Sequence, residues 1–299
     1  MDTLLSPNTP ELNQDDIIEL AAIAKALGKA RSIRRARMMS GSIVSKKRGH
    51  GLELHEIRPY DVSDEARHMD WRVTARTGIA HTRVYTEDVE HRTLVLLSLS
   101  PDAYFGTQTT FISTRLAQLA AIIAWRSYAQ RENVGFVSQT DNEFSITPNI
   151  RDWRFFSEQL AQTTLIKQRT LQPTSYEMPN LSRFKGYSVI VLSDHIAMDE
   201  INKAHLQQLA QHNRVHWVSV EDASAFSLPN GHYQFANQET KNTLHISNAQ
   251  RSAAKQHFAQ LAQQHDSLMT QLGVGYYVFD VNHSPIAVAS ELLAYGILH

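Results

Sequence analysis

The chain contains no cysteine among its 299 residues. Disulfide bonds and thiolate metal sites are therefore excluded, and a reducing compartment suits the protein. The charges also balance, with a formal net charge of −1, so bulk binding of nucleic acid is not expected. The longest apolar stretch, residues 116–125, is broken by Gln118 and reaches only about half a membrane span. Because the chain does not start with a basic and then apolar signal peptide, the sequence predicts a cytoplasmic protein.

The hydrophobic content of 42% is typical of a compact protein with one large domain, or with one ordinary and one smaller domain. Asn13 is a helix cap in front of an apolar stripe, which predicts a helix over residues 15–36. The pattern changes after about residue 90. We therefore predict an N-terminal helix and a motif-rich region in residues 1–90, followed by a larger domain in residues 91–299.

Buried-strand and helix patterns alternate from residue 93 onward, which predicts an α/β fold with a mostly parallel sheet and helices on both faces. Sites in such sheets form at the carboxyl ends of the strands, where the strand order reverses. Here those ends carry polar side chains. They fall at residues 98–102, 138–141, 193–195 and 219–222.

Residues 51–78 hold an unusually dense pattern of acids, arginines and aromatic side chains. Asp64 and Arg67 are three residues apart and would meet on a helical turn, and Asp70 could pair with arginines beneath Trp71. We interpret the pattern as a network that docks the N-terminal region onto the sheet; the alternative is a recognition surface for an acidic partner or a phosphate. The residues of this signature are Arg58, Tyr60, Asp64, Arg67, Asp70, Trp71 and Arg76.

The order of these residues resembles the signature of the bacterial domain-of-unknown-function family 58. The resemblance continues through Phe105-Gly106-Thr107 to Ser193-Asp194 and covers roughly residues 49–195 well. It implies a von Willebrand factor A-like domain behind a smaller signature region. It also implies a non-enzymatic adaptor or assembly factor that works with a MoxR-type AAA+ ATPase or with a client of that ATPase.

The chain departs from the pattern of magnesium-binding von Willebrand A domains, Asp-x-Ser-x-Ser, because it has Ser98-Leu-Ser100-Pro-Asp102. Magnesium prefers carboxylate oxygen, so Ser98 removes the charge at the centre of the site. We therefore predict a degenerate metal site, with no cofactor, whose loops bind a protein partner. The residues predicted for this face are Ser98, Ser100, Asp102, Tyr104, Asp194 and His195.

Two alternatives stay open. One is a metal-dependent hydrolase that uses Asp102, Asp194 and a nearby histidine; the other is a nucleic-acid module that uses the basic stretch 29–48. The 15 histidines include no His-Glu-x-x-His motif, and the sequence lacks a Gly-x-Ser-x-Gly elbow, a Walker loop and a Gly-x-Gly-x-x-Gly motif behind a strand. The sequence therefore favours an interaction protein over an enzyme.

Overall fold

The computed structural model describes most of the chain, namely residues 9–28, 48–62, 64–86, 91–140, 143–168, 177–196, 199–223, 231–236 and 241–298. Contacts divide the chain into two compact units. One combines the N-terminal part up to residue 34 with residues 91–299, and the other comprises residues 35–90. We predicted that the first helix belongs to the N-terminal region of residues 1–90, whereas this helix packs into the core of the large unit.

The described strands and helices follow the predicted alternation. The strands are β1 (Arg48–Pro59), β2 (His81–Thr86), β3 (Arg92–Ser98), β4 (Asn133–Gln139), β5 (Phe144–Thr147), β6 (Ser188–Ser193), β7 (Arg214–Glu221), β8 (Gly231–Ala236), β9 (Lys241–Ile246) and β10 (Gly275–Asp280). The helices are α1 (Gln14–Ala26), α2 (Trp71–Thr77), α3 (Ile112–Ala129), α4 (Trp153–Thr163), α5 (Glu200–His212), α6 (Asn248–Gln271) and α7 (Pro285–Ala294).

The large unit is built on a six-stranded sheet in the order β10-β7-β6-β3-β4-β5. All neighbouring strands are parallel except β5, which runs antiparallel to β4 at the edge. The predicted α/β fold with a mostly parallel sheet is therefore confirmed. The chain enters the sheet at β3, adds β4 and β5 on one side, and then adds β6, β7 and β10 on the other. The strand order thus reverses at β3, which is where open α/β sheets form their sites.

Two hydrophobic cores cover the two faces of this sheet. Val95 and Leu97 of β3 face the core beneath α1, α3, α4 and α7, while Leu94 and Leu96 face the core beneath α5 and α6. Each side chain is at most 1% exposed, and burial of one such side chain contributes about 1.5–3 kcal/mol. Strands buried on both faces explain the nearly continuous apolar runs in the sequence.

Side chains define both ends of α1. Asn13 accepts a hydrogen bond from the backbone N–H of Asp16, and Asp16 returns one to Asn13, forming a capping box. At the other end, the buried guanidinium of Arg126 donates to the carbonyls of Leu27 at 2.7 Å and Gly28 at 3.0 Å. The helix ends at Ala26, so the predicted continuation toward residue 36 is wrong at residues 27 and 28. Residues 29–47, with nearly all of the basic stretch, lie outside the described residues.

The last helix, α7, was not predicted from the sequence. Ser284 caps it by accepting from the backbone N–H of Ala287 at 3.2 Å, and Pro285 occupies its first turn. A serine and a proline in front of an apolar run are a recognised helix start, so the signal was present in the sequence. Across the described residues, none of the helices combines the length and the apolar character that a membrane crossing requires.

Candidate functional site

The site of the large unit lies in the loops at the carboxyl edge of its sheet. The loop after β3 begins at Ser100, whose hydroxyl caps a short 3₁₀ turn over Pro101–Ala103 by accepting from the backbone N–H of Asp102 at 3.1 Å. Asp194, at the end of β6, accepts from the Ser100 backbone N–H at 2.9 Å and from the Ser100 hydroxyl. The carboxylate therefore ties together the ends of two neighbouring strands.

A second carboxylate holds the far part of the same loop. Asp222, which follows β7 and is 5% exposed, accepts from the Thr107 backbone N–H at 2.7 Å and from the Thr107 hydroxyl. Between the two attachments the loop folds back on itself at Gly106, where an added Cβ would lie 1.9 Å from the carbonyl oxygen of Thr110. Only glycine fits such an approach, which explains the glycine in Phe105-Gly106-Thr107.

His195 extends the cluster at the end of β6. Its Nδ1 lies 3.1 Å from Asp194 Oδ1 and 3.1 Å from the Ser193 hydroxyl. An aspartate beside a histidine is one element of a hydrolytic site. Ser193, however, is fully buried and donates to the backbone carbonyl of His195 at 3.0 Å, so it is not presented to a substrate.

The predicted partner-binding face is corrected at four positions. Tyr104 was predicted to bind a partner, but its side chain is 3% exposed and its hydroxyl donates to the Thr163 carbonyl at 2.8 Å. Ser98 and Ser100 are also buried, and the side chain of Asp194 is only 4% exposed. The adjacent Asp102 and Phe105 are exposed. Packing explains the difference, because Tyr104 fills the space between the loop and the end of α4.

The oxygen atoms that could act as metal ligands at this edge do not fit a magnesium site of the von Willebrand A kind. Both oxygens of Asp194 accept hydrogen bonds from Ser100, both oxygens of Asp222 accept from Thr107, and Ser98 supplies no negative charge. Magnesium needs carboxylate oxygen in a nearly octahedral shell. Over the ranges that the structure describes, no three histidine or acidic side chains are grouped so that they could hold a metal ion.

A polar row across the sheet escaped the sequence analysis. Ser219 of β7, Ser193 of β6, Ser98 of β3 and Gln139 of β4 are register partners from strand to strand. Alternation along the strands places this row on the face covered by α5 and α6. The residues lie in the four polar strand ends that were each recognised in the sequence, but their alignment depends on strand order and register.

The signature region has its own geometry within the small unit, where β1 and β2 form an antiparallel pair. Arg58 donates to Asp64 at 2.6 Å. The arginine that pairs with Asp64 here lies six residues earlier in the chain, whereas the predicted one was Arg67, three residues later. The Tyr60 hydroxyl donates to the Asp64 backbone carbonyl at 3.0 Å, and Arg67 pairs with Glu65.

Asp70 organises the rest of the signature. It caps α2 by accepting from the backbone N–H groups of Arg72 and Val73 at 3.0 Å, and it pairs with Arg83 at 2.9 Å. The side-chain hydrogen bond from Arg83, with the two backbone donors, lowers the pKa of the Asp70 carboxyl. Arg76 is exposed, and Trp71 is 69% exposed. The expected tryptophan cover over the paired charges is therefore wrong within this unit, and docking onto the sheet stays a prediction.

The comparisons with known proteins agree with the signature. An uncharacterized protein of Mycobacterium bovis, Mb1516, and one of Mycobacterium tuberculosis, Rv1480, are each 42% identical over 59 residues, which is 20% of this chain. The matched stretch is 19% of each relative, so it spans about a fifth of their length. The family model described as "Protein of unknown function DUF58" matches residues 56–268. This match covers well over half of the chain, which therefore belongs to the DUF58 family.

Proposed function

We propose that this protein is a non-enzymatic adaptor whose carboxyl-edge loop binds a protein partner. The observation that carries the proposal is the double attachment of the loop after β3. Asp194 holds its first part and Asp222 holds its second part. Carboxylates that are used in this way position a surface and are not available for acid–base or metal chemistry.

The exposed part of this loop suits a protein interface. Phe105 is 48% exposed although its neighbour Tyr104 is buried, and the exposed Asp102 lies three residues earlier. An apolar ring beside a carboxylate, held on a rigid scaffold, has the composition of an interface anchor with a polar rim. The binding surface that we propose is thus Asp102 and Phe105, with His195 at its border.

The partner that we propose is a MoxR-type AAA+ ATPase, or a protein on which such an ATPase acts. The support for this choice is the resemblance of the signature and of the loop after β3 to the domain-of-unknown-function family 58, a resemblance that implies work with a MoxR-type ATPase. The adaptor would bring a client to the ATPase and would itself catalyse no reaction.

Affinity capture from the native host tests the proposal. The full chain should retain an AAA+ ATPase, identified by mass spectrometry, and Asp102→Arg and Phe105→Ala should each reduce the captured amount at least about tenfold, as expected for loss of an interface anchor. Phe155→Ala is the matched control, because Phe155 is a similarly exposed phenylalanine on α4, at 56%.

All variants should keep the melting temperature of the parent protein. Capture of no ATPase would exclude the proposed partner. Equal capture by well-folded Asp102→Arg and Phe105→Ala proteins would exclude the loop as the binding surface.

A further inference from the structure

Helix α2 of the small unit has an inner face and an outer face. Thr74 lies on the inner face, where its hydroxyl accepts from the backbone N–H of His81 at 3.0 Å, and the adjacent Val73 is half-buried. Successive residues of an α-helix are rotated by about 100°, so four exposed residues share the opposite, outer face. They are Trp71, Arg72, Ala75 and Arg76.

The outer face of α2 consists of two neighbouring rows. Trp71 and Ala75 are four residues apart and form an apolar row, and Arg72 and Arg76 form a cationic row beside it, with about 5–6 Å between the Cβ atoms within each row. Trp71 is 69% exposed. An exposed tryptophan leaves a large apolar area in water, and such an area next to cations is typical of an interaction surface.

The small unit holds this face in place from behind. Asp70 caps the start of α2 and pairs with Arg83 at 2.9 Å, and Gly78 ends the helix in the left-handed conformation with a φ of 73°. Together with the contact between Thr74 and His81, these interactions fix both ends and the inner side of the helix. The outer face is therefore preformed, which reduces the entropic cost of binding.

The charges of the outer face are not compensated within the described part of the chain. Arg58, Arg67 and Arg83 each pair with an aspartate or a glutamate, whereas Arg72 and Arg76 form no ion pair with another described residue. A ligand of this face must therefore supply negative charge. Arginine binds carboxylates through paired hydrogen bonds, and tryptophan and arginine are the residues most often found at the centre of protein interfaces.

The charge of the small unit favours a protein over a polyanion. Residues 35–90 contain ten lysine and arginine residues and nine aspartate and glutamate residues, so this unit lacks the large positive excess with which proteins bind nucleic acids and anionic membranes. One exposed tryptophan with two arginines suits a ligand that has a few carboxylates and an apolar side chain.

We propose that the outer face of α2 docks an acidic segment of a partner protein. The carboxylates of this segment pair with Arg72 and Arg76, and one of its apolar side chains covers Trp71. The proposal is the alternative to docking of the signature region onto the sheet, and it does not depend on the adaptor function.

A random peptide library displayed on phage, selected on the immobilised full chain, supplies the probe. Clones that also bind the Trp71→Ala protein are removed by counter-selection. The remaining sequences should be enriched in aspartate and glutamate and should carry an apolar residue. The most frequent sequence, made as a fluorescent peptide, should bind the full chain in a saturable way.

Charge reversal then tests the role of the arginines. Arg72→Glu and Arg76→Glu should each weaken binding of the peptide at least about tenfold. Arg154→Glu is the matched control, because Arg154 is an exposed arginine beside the exposed Phe155 in the large unit, and it should bind the peptide like the parent. The melting temperatures of all variants should equal that of the parent, since the substituted side chains are exposed.

Three results would overturn the proposal. The first is a selection that yields no acidic sequences. The second is a fall of more than about 3 °C in the melting temperature of Trp71→Ala, which would mean that the ring is packed within the chain. The third is binding of a single-stranded oligothymidylate that is lost in Arg72→Glu, without binding of acidic peptides, which would assign the face to nucleic acid.

Discussion

Tyr104 and Phe105 are neighbours in the chain with opposite surroundings, since the first is 3% exposed and the second is 48% exposed. Tyr104→Ala should lower the free energy of unfolding by about 3–5 kcal/mol, because it removes a buried ring and leaves the Thr163 carbonyl without its donor. Phe105→Ala should change it by less than about 1 kcal/mol. Urea unfolding measures both. A Tyr104→Ala protein as stable as the parent would show that the ring is not part of the packing.

Asp70 makes the small unit sensitive to acid. Its pKa is lowered chiefly by the hydrogen bond from Arg83, so the ionised carboxylate stabilises the folded form. This contribution is fully present above the unfolded pKa of about 4 and is lost as the pH falls through the lower folded value. Asp70→Asn should therefore reduce hydrogen-exchange protection in α2 at neutral pH.

The deficit of Asp70→Asn relative to the parent should shrink as the pH is lowered below about 4. Arg83→Met tests the largest cause of the lowered pKa of Asp70. It removes the hydrogen bond from Arg83 and leaves the backbone donors of α2 in place. A deficit that stays constant across this range would mean that the negative charge of Asp70 does not stabilise the folded form.

At the scale of elements, the loop between β3 and α3 depends on one close backbone approach. Gly106→Ala would place a Cβ 1.9 Å from the Thr110 carbonyl oxygen, so the loop must open and the Thr107–Asp222 contacts must weaken. We expect the free energy of unfolding to fall by about 1–3 kcal/mol or more, as in severe overpacking, and the melting temperature to fall with it.

Gly28→Ala is the matched control for this substitution. Among the described residues, no atom lies within 4 Å of the position where its Cβ would be, and the Gly28 carbonyl that Arg126 contacts is unchanged. Its melting temperature should equal that of the parent. Similar melting temperatures for Gly106→Ala and Gly28→Ala would contradict the description of the loop.

For the whole molecule, the oxygen atoms at the carboxyl edge predict that magnesium does not change the stability of the protein. A ligand that binds only the folded form raises its stability by mass action, so millimolar magnesium or manganese should leave the melting temperature unchanged. The exposed Asp102 offers the control, because it is the carboxylate least committed to the loop. A reproducible rise in melting temperature that disappears in Asp102→Ala would establish a metal site and revise the assignment of this edge.

Much of the architecture could be predicted from local patterns. The apolar run over β3 indicated a strand buried on both faces, and the alternation of strands and helices indicated a parallel sheet, because burial on two faces removes polar residues from such strands. Capping residues predicted the start of α1. The end of that helix could not be read in this way, because the buried guanidinium of Arg126, about a hundred residues later, holds its terminal carbonyls.

The sequence by itself determined the family signature, the α/β class and the loss of the charged metal ligand at Ser98. These depend on residue type, spacing and periodicity, which the chain displays without folding. Tertiary structure decided which of two adjacent aromatic residues is buried, that Arg83 pairs with Asp70, and that Ser219, Ser193, Ser98 and Gln139 form one row. Those facts depend on strand order, register and long-range packing, and residues far apart in the chain meet only when the sheet has assembled.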